Sequence, residues 1–213
     1  DRLIAEGLCR ALDSALSDEV LILPCPPVGY SAHHRDFPGT LTVSHRQLIE
    51  TAESILRCVL VDGFSRILIL NAHGGNIALG GVLLEKLGEA FPEARMVFTS
   101  WWQAAGETLR GISGSGPGGT GHACELETSL MMHLHPALVH RDRIAPGTNH
   151  ATYPWAEADM LHGSPARLHR SFAQMTSNGV FGNPGEASPK KGRLVQQAVT
   201  AALKTICLNL YQS

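Results

Sequence analysis

The run Arg66-Ile67-Leu68-Ile69-Leu70-Asn71, followed at once by Ala72-His73-Gly74-Gly75-Asn76, constrains this chain more than any other feature. Its apolar residues do not alternate with polar ones. Strands with both faces covered look like this, as in parallel sheets packed under helices. The glycine pair then demands a tight turn, and a helix is expected from Ile77 to Ala90. In such strand–turn–helix units ligands collect beyond the carboxyl end of the strand. Residues 71–76 are therefore the first place to look for chemistry.

Flanking segments extend the pattern. Leu3, Ile4, Leu8, Ala11, Leu12 and Ala15 have helical spacing from the first residues onward. A domain rarely opens on the first turn of a core helix, so a natural segment before Asp1, a strand and its loop, is expected. Val20-Leu21-Ile22-Leu23 reads as a short strand, broken by Pro24, Pro26, Pro27 and Gly29. Ser44 with Gln47 forms a capping-box pattern for a helix to about Asp62, where Gly63 is a natural stop. Met96 to Thr99 is another strand. Residues 111–121, rich in Gly and Ser, are expected as a mobile loop, fit to serve as a lid. A helix from Glu127 to Leu134, an irregular stretch over 141–193 and a last helix from Lys190 to Leu210 complete the reading. The alternation predicts one α/β domain over residues 1–213, a three-layer α/β/α sandwich with a mostly parallel central sheet.

Composition excludes several classes. The 213 residues carry 17 Lys and Arg against 19 Asp and Glu, which leaves no broad basic surface for nucleic acid. No apolar run is long enough to span a membrane. The five cysteines, an odd number without a CxxC pair, argue against a disulfide framework and for a reducing cytoplasm.

Three segments carry candidate chemistry. His73 sits just past the buried strand, where neutral imidazole is a common metal ligand. Gly74 and Gly75 let a ligand approach the backbone, and Asn71 and Asn76 brace the turn. A tight turn with an incidental histidine is the plainer reading, and the residues alone leave both open. His122 lies between the glycine loop and a helix bearing Glu125 and Glu127. His122 suits a general acid or base, and Glu127 a ligand or a partner to that histidine. Glu125 reads as a carboxylate complementing the helix dipole, and Cys124 as a small buried thiol. In the third segment, Tyr30 to Thr40, His33, His34 and Asp36 lie close enough for metal binding, with a substrate or subunit contact equally open. Phe37-Pro38-Gly39-Thr40 is a rigid turn ordering that loop. Trp101 and Trp102, after a strand, suit either a planar substrate or core packing.

Taken together these segments resemble the creatininase family. The matches, in the family's order, are Asp1-Arg2-Leu3-Ile4-Ala5-Glu6, Gly29-Tyr30-Ser31 with His34, Phe37-Pro38-Gly39-Thr40, and Asn71-Ala72-His73-Gly74-Gly75-Asn76. Ser100-Trp101-Trp102, His122-Ala123 with Glu127-Thr128-Ser129, and Gly179-Val180-Phe181-Gly182-Asn183-Pro184 follow. The resemblance implies hydrolysis of C–N bonds in cyclic or linear amides with two divalent metal ions, for which Zn, Mn or Fe suit the mixed ligands, and assembly as a hexamer. It implies that Asp1 bridges the metals, that His73 binds one of them and that His122 is catalytic, with Glu127 as a ligand or orienting group. Ser31, His34, Gly74, Gly75, Trp101 and Trp102 are the substrate-binding candidates.

Two departures bear on this. The family's Glu-x-His ligand pair would fall before residue 1. True creatininases have Tyr-Glu, with the Glu a second-metal ligand, where this chain has Gly74-Gly75, and a Trp where it has Gly118. The second departure points away from creatinine as the substrate. Formamide deformylation and small-peptide hydrolysis are sister activities compatible with the Gly-Gly turn. A scaffold subunit that has lost its metal centre is the alternative from another class. A nucleotide-binding reading of Gly74-Gly75 lacks any GxGxxG or GxxxxGK motif.

Overall fold

A computed structural model describes residues 1–17 and 19–212. Helix α1 (Arg2–Ala15) leads to an extended segment and a long loop, then α2 (His45–Val61), strand β1 (Arg66–Asn71), α3 (Ile77–Ala90) and β2 (Arg95–Ser100). Two short helices follow, α4 (Trp101–Ala104) and α5 (Gly106–Ile112), then β3 (Thr120–His122) and α6 (Glu125–Leu134). After a mostly irregular stretch come α7 (Phe172–Met175), β4 (Phe181–Gly182) and the long α8 (Pro189–Gln212).

The period-two geometry of β1 builds three layers. Leu68 and Leu70 pack on a core formed by α1, α6 and α8, with Leu8, Leu130, Val195 and Val199 at its centre. Ile67 and Ile69 face the other way, onto Leu56 and Leu60 of α2 and Leu83 and Leu87 of α3. Burying one such side chain is worth about 1.5–3 kcal/mol, so each face of a six-residue strand holds a helical layer in place. Strands β1 and β2 run parallel in register from Arg66–Arg95 to Asn71–Ser100. A second, antiparallel pair joins β3 to β4. The α/β fold and parallel pairing match the sequence expectation.

Local signals for the elements hold as well. Ser44 Oγ accepts from Gln47 N, and Gln47 Oε1 accepts from Ser44 N, which closes the capping box of α2. Gly63 takes the left-handed backbone at φ 94° that ends it. Lys204 Nζ donates to Ala15 O at the carboxyl end of α1, where a cation also complements the helix dipole.

Two expectations are corrected. Val20–Leu23 is extended but joins no ladder among the described residues, and Leu21, Ile22 and Leu23 are 77%, 42% and 49% exposed. An apolar run becomes a strand only when it pairs with a sheet edge, and among the described residues this one does not. The chain continues from it into the wall of a cavity of about 410 Å³ beside β1, floored by Ile69 and Leu70 and walled by Ala5, Leu48 and Leu83. Residues 111–121, expected as a mobile loop, are instead held at both ends. Glu125 accepts hydrogen bonds from Ser113, Gly114 and Ser115, and Asp159 accepts from Gly118 N at 2.6 Å.

The tightest crossing is between α6 and α8. A Cβ on Gly192 would stand 1.9 Å from Ser129 O, a backbone atom that cannot swing aside. Gly192→Ala is expected to lose about 1–3 kcal/mol through overpacking, despite the better helix propensity of Ala. Urea denaturation should show a lowered midpoint, and an unchanged or raised midpoint would refute this close approach.

Candidate active site

The turn after β1 is built by amide side chains. Asn71 Oδ1 accepts from His73 N at 3.1 Å, and Asn71 Nδ2 donates to Ser100 Oγ at 2.9 Å, tying the ends of both strands together. Asn76 Oδ1 accepts from Tyr30 N at 3.2 Å. The loop carrying His33 and His34 is thus fastened to the turn carrying His73. That loop is ordered as expected by its Phe-Pro-Gly-Thr turn: Thr40 Oγ1 donates to the carbonyls of His34 and Phe37, with Gly39 at φ 86°.

His73 is buried and fully engaged. Its Nδ1 lies 2.9 Å from Asp1 Oδ2 and its Nε2 lies 3.0 Å from Ser31 Oγ. Asp1 occupies the N-cap position of α1, yet its side chain makes no capping bond. An Asp there ordinarily caps for about 1 kcal/mol. This one is turned to the imidazole instead.

His122 ends β3, and Ala123 follows in left-handed backbone at φ 49°, the one non-glycine with positive φ among the described residues. That turn delivers α6 with two carboxylates in its first turn and opposite surroundings. Glu125 is fully buried and saturated with donors, including Lys191 Nζ at 2.5 Å. Burial raises its pKa, but the hydrogen bonds from Lys191, Ser115, Gly114 and Ser113 outweigh burial and hold it below the usual carboxylate range. Glu125 thus anchors the loop rather than merely complementing a dipole. Glu127 is buried with Oε2 lacking any hydrogen-bond partner among the described residues. Burial pushes its pKa up.

His33, His34, His73, His122 and Glu127 line one cavity of about 190 Å³, with Gly74, Gly75 and Trp102 on its wall. The ring centroids of His34 and His122 are 4.4 Å apart, and those of His33 and His34 are 4.2 Å apart. Burial lowers His33 to a pKa of about 4, His34 to about 3 and His122 to about 4, with neighbouring imidazoles adding to the effect. Burial lowers His73 too. All are therefore neutral at pH 7, the form that binds metals and accepts protons. His34 Nε2, like Glu127 Oε2, is buried without a partner. Unsatisfied nitrogen and carboxylate oxygen converging with neutral imidazoles are the donor set a divalent cation needs, so the residues present fit such an ion.

Of the substrate-binding candidates, His34, Gly74, Gly75 and Trp102 reach this cavity. Ser31 and Asp1 line the larger cavity beside β1, on the other side of His73. Trp101 is a correction: it is fully buried in the core and does not line the histidine cavity, because its ring packs edge-on against Trp102 at 5.5 Å. Cys124 is fully buried beside Met160 and burial pushes its thiol up, which bears out the structural reading. Sequence reasoning missed Phe172 and Met160 in the cavity wall. The Phe172 ring sits 4.0 Å from that of His34 and 4.8 Å, edge-on, from that of His122. The one available signal was Ser171 with Gln174, a capping box inside the irregular stretch.

Fold and cavity together define an α/β protein with a histidine-rich polar site at the carboxyl end of a parallel strand. Residues 1–207 match the family described as creatinine amidohydrolase, and the chain belongs to that creatininase family, whose members are hydrolases acting on C–N bonds. A mycofactocin precursor peptide peptidase of Mycobacterium ulcerans is 29% identical over 182 residues, covering 81% of this chain. The chain spans 60% of that relative's length. A putative creatinine amidohydrolase from Bacteroides fragilis superposes with a TM-score of 0.81 at 24% identity, over 99% of this chain and 79% of the other. A mutant creatininase of Zn-Zn type gives a TM-score of 0.75 at 23% identity, over 95% and 80%.

The depressed imidazole pKa values set a pH dependence for the protein held in chelator. Between about pH 6.5, the ordinary histidine value, and about pH 4, the unfolded chain binds protons that folded His33, His34 and His122 refuse. Stability is then full above about pH 6.5 and falls as the pH drops toward 4. Chemical denaturation across that range should show the loss, and His34→Phe should flatten it. An equal slope in wild type and variant would contradict the burial of His34.

Proposed function

We propose that this chain is the catalytic domain of a metal-dependent amidohydrolase that cleaves a C–N bond in a peptide or other small amide. The observation that carries the reading is the convergence of His34, His73, His122 and Glu127 on one small cavity, with two of their buried polar atoms left unpartnered. Asp1, His73 and Glu127 are the residues assigned to hold divalent ions. Zn is supported by the Zn-Zn creatininase structure, and the donor set accommodates Mn or Fe. Bound divalent ions supply Lewis acidity and make water acidic enough to act as a nucleophile near neutral pH.

The chain's own groups do the rest. His122, neutral and buried, accepts a proton and returns it to the leaving nitrogen. Asp1 orients His73 through Nδ1, which fixes the tautomer and leaves Nε2 as the acceptor facing Ser31 Oγ. Gly74, where a Cβ would meet nothing within 4 Å, leaves the cavity wall open to an approaching amide. Trp102, Met160 and Phe172 contribute apolar lining that limits water in the cavity.

The kinship with a peptide peptidase favours a peptidic amide among the sister activities. The enzyme acts in the cytoplasm as a homo-oligomer of hexameric type. Exposed Leu138, Tyr153, Trp155 and Leu168 support an assembly surface.

Full-length protein loaded with Zn, Mn or Fe should hydrolyse at least one member of a panel of short peptides, formamides and cyclic amides. His122→Ala should lower kcat by about 10²–10⁴-fold while metal content stays at the wild-type level. No cleavage of any panel member by the wild type, or no metal by elemental analysis, would favour a non-catalytic scaffold.

A further inference from the structure

The histidine cavity also holds His33, to which the assignments above give no role, beside His34 and His73. One ligand nitrogen from each of His33, His34 and His73 lies within 4.8 Å of the other two. Two of these imidazoles come from a single helical turn, Ala32–His34, and the third from the end of β1. Hydrogen bonds through Asn76 and Ser31 lock the two segments together.

Position 75 explains how three rings fit. A Cβ built on Gly75 would stand 2.6 Å from His33 Cε1, 2.8 Å from His73 Nε2 and 2.5 Å from Tyr30 O. Any side chain there would drive His33 away from His73. The backbone of Gly75 is not in the left-handed region, so the glycine is required by space and not by conformation. His33 stands in the room that a side chain at 75 would take.

The second observation is His34. The residue is 9% exposed and its Nε2 has no hydrogen-bond partner among the described residues. Buried ring nitrogens normally find a partner. The His33 and His73 rings stack at 5.4 Å with an interplanar angle of 14°, and the His34 ring lies 5.6 Å from that of His73. A tetrahedral ion with metal–nitrogen bonds of about 2.0–2.1 Å needs its nitrogens roughly 3.3 Å apart. Reaching that spacing from within 4.8 Å calls for rotation about the side-chain bonds of these histidines.

We propose that His33, His34 and His73 form a three-imidazole cation site, in which His33 supplies a ligand on the side where position 75 has no side chain. The proposal deepens the metal-dependent reading and rests on it. Three imidazoles select a borderline transition ion such as Zn²⁺ over Mg²⁺ or Ca²⁺, which favour oxygen donors. Three protein ligands also leave a coordination position for water or substrate, the pattern of catalytic rather than structural zinc.

The test is Zn²⁺ titration of the metal-free, full-length protein by calorimetry, with X-ray absorption counting imidazole ligands. Wild type should bind Zn²⁺ with about three imidazoles. His33→Ala should lose one imidazole and weaken binding about tenfold or more. Gly75→Ala removes no donor, yet it should weaken binding comparably by displacing His33. His140→Ala, on the exposed surface, should match wild type. Mg²⁺ should not compete. Wild-type affinity and imidazole count in both His33→Ala and Gly75→Ala would overturn this site and leave the hydrolase reading standing. Absence of Zn²⁺ binding by wild type would remove both. If either variant fails to fold by circular dichroism, the wild-type imidazole count decides alone, and two or fewer refutes the proposal.

Discussion

The side chain of Asn71 holds three parts of this molecule in one place. It is buried at the end of β1, accepts from the His73 amide, and donates to Ser100 at the end of β2. Through Asn76 the same turn reaches the backbone of Tyr30 and thereby the loop of His33 and His34. Loss of a buried partner of this kind costs about 1–3 kcal/mol. The larger consequence is geometric, because the imidazoles come from segments some forty residues apart and share one small cavity only while this turn keeps its shape. The three layers exist, in physical terms, to hold the strand rigid beneath it.

The parts of the fold that were legible in sequence share a local cause. β1 is an unbroken apolar run, α2 carries its own capping box, and α1 and α8 repeat apolar residues at helical spacing. What was not legible depended on distant partners. Val20–Leu23 has strand composition but pairs with no strand among the described residues. The glycine-rich stretch looked free because its tethers, Glu125 and Asp159, lie 10 to 41 residues away in sequence. In the site, His34, His73, Trp102, His122 and Glu127 were legible, since they flank recognisable turns and helix starts. Phe172 was not, because its helix is a single turn within an irregular stretch. Trp101 and Trp102 are adjacent, alike and both buried in the core, and only the second also reaches the cavity.

Glu125 and Glu127 show how little sequence distance separates a structural group from a chemical one. Both sit in the first turn of α6 and both are buried. One is surrounded by hydroxyls, amides and an ammonium group, which keep it ionised and immobile. The other faces imidazoles and retains a free oxygen. A pair of like residues driven to opposite protonation tendencies by their surroundings is a recurrent sign of acid–base chemistry. Here the sign coincides with the neutral histidines around the second carboxylate.

The left-handed residue between His122 and Cys124 has a further consequence. For any L-amino acid that backbone is uphill by roughly 1–2 kcal/mol, and more so for branched side chains. Ala123 has the smallest side chain that still carries this cost, and it supplies the reversal that sets His122 and Glu127 against the same cavity. Stereochemistry at one unreactive methyl therefore restricts which sequences can carry this pair of functional groups. A valine or isoleucine there would be disfavoured by backbone handedness even though nothing in its chemistry touches the reaction.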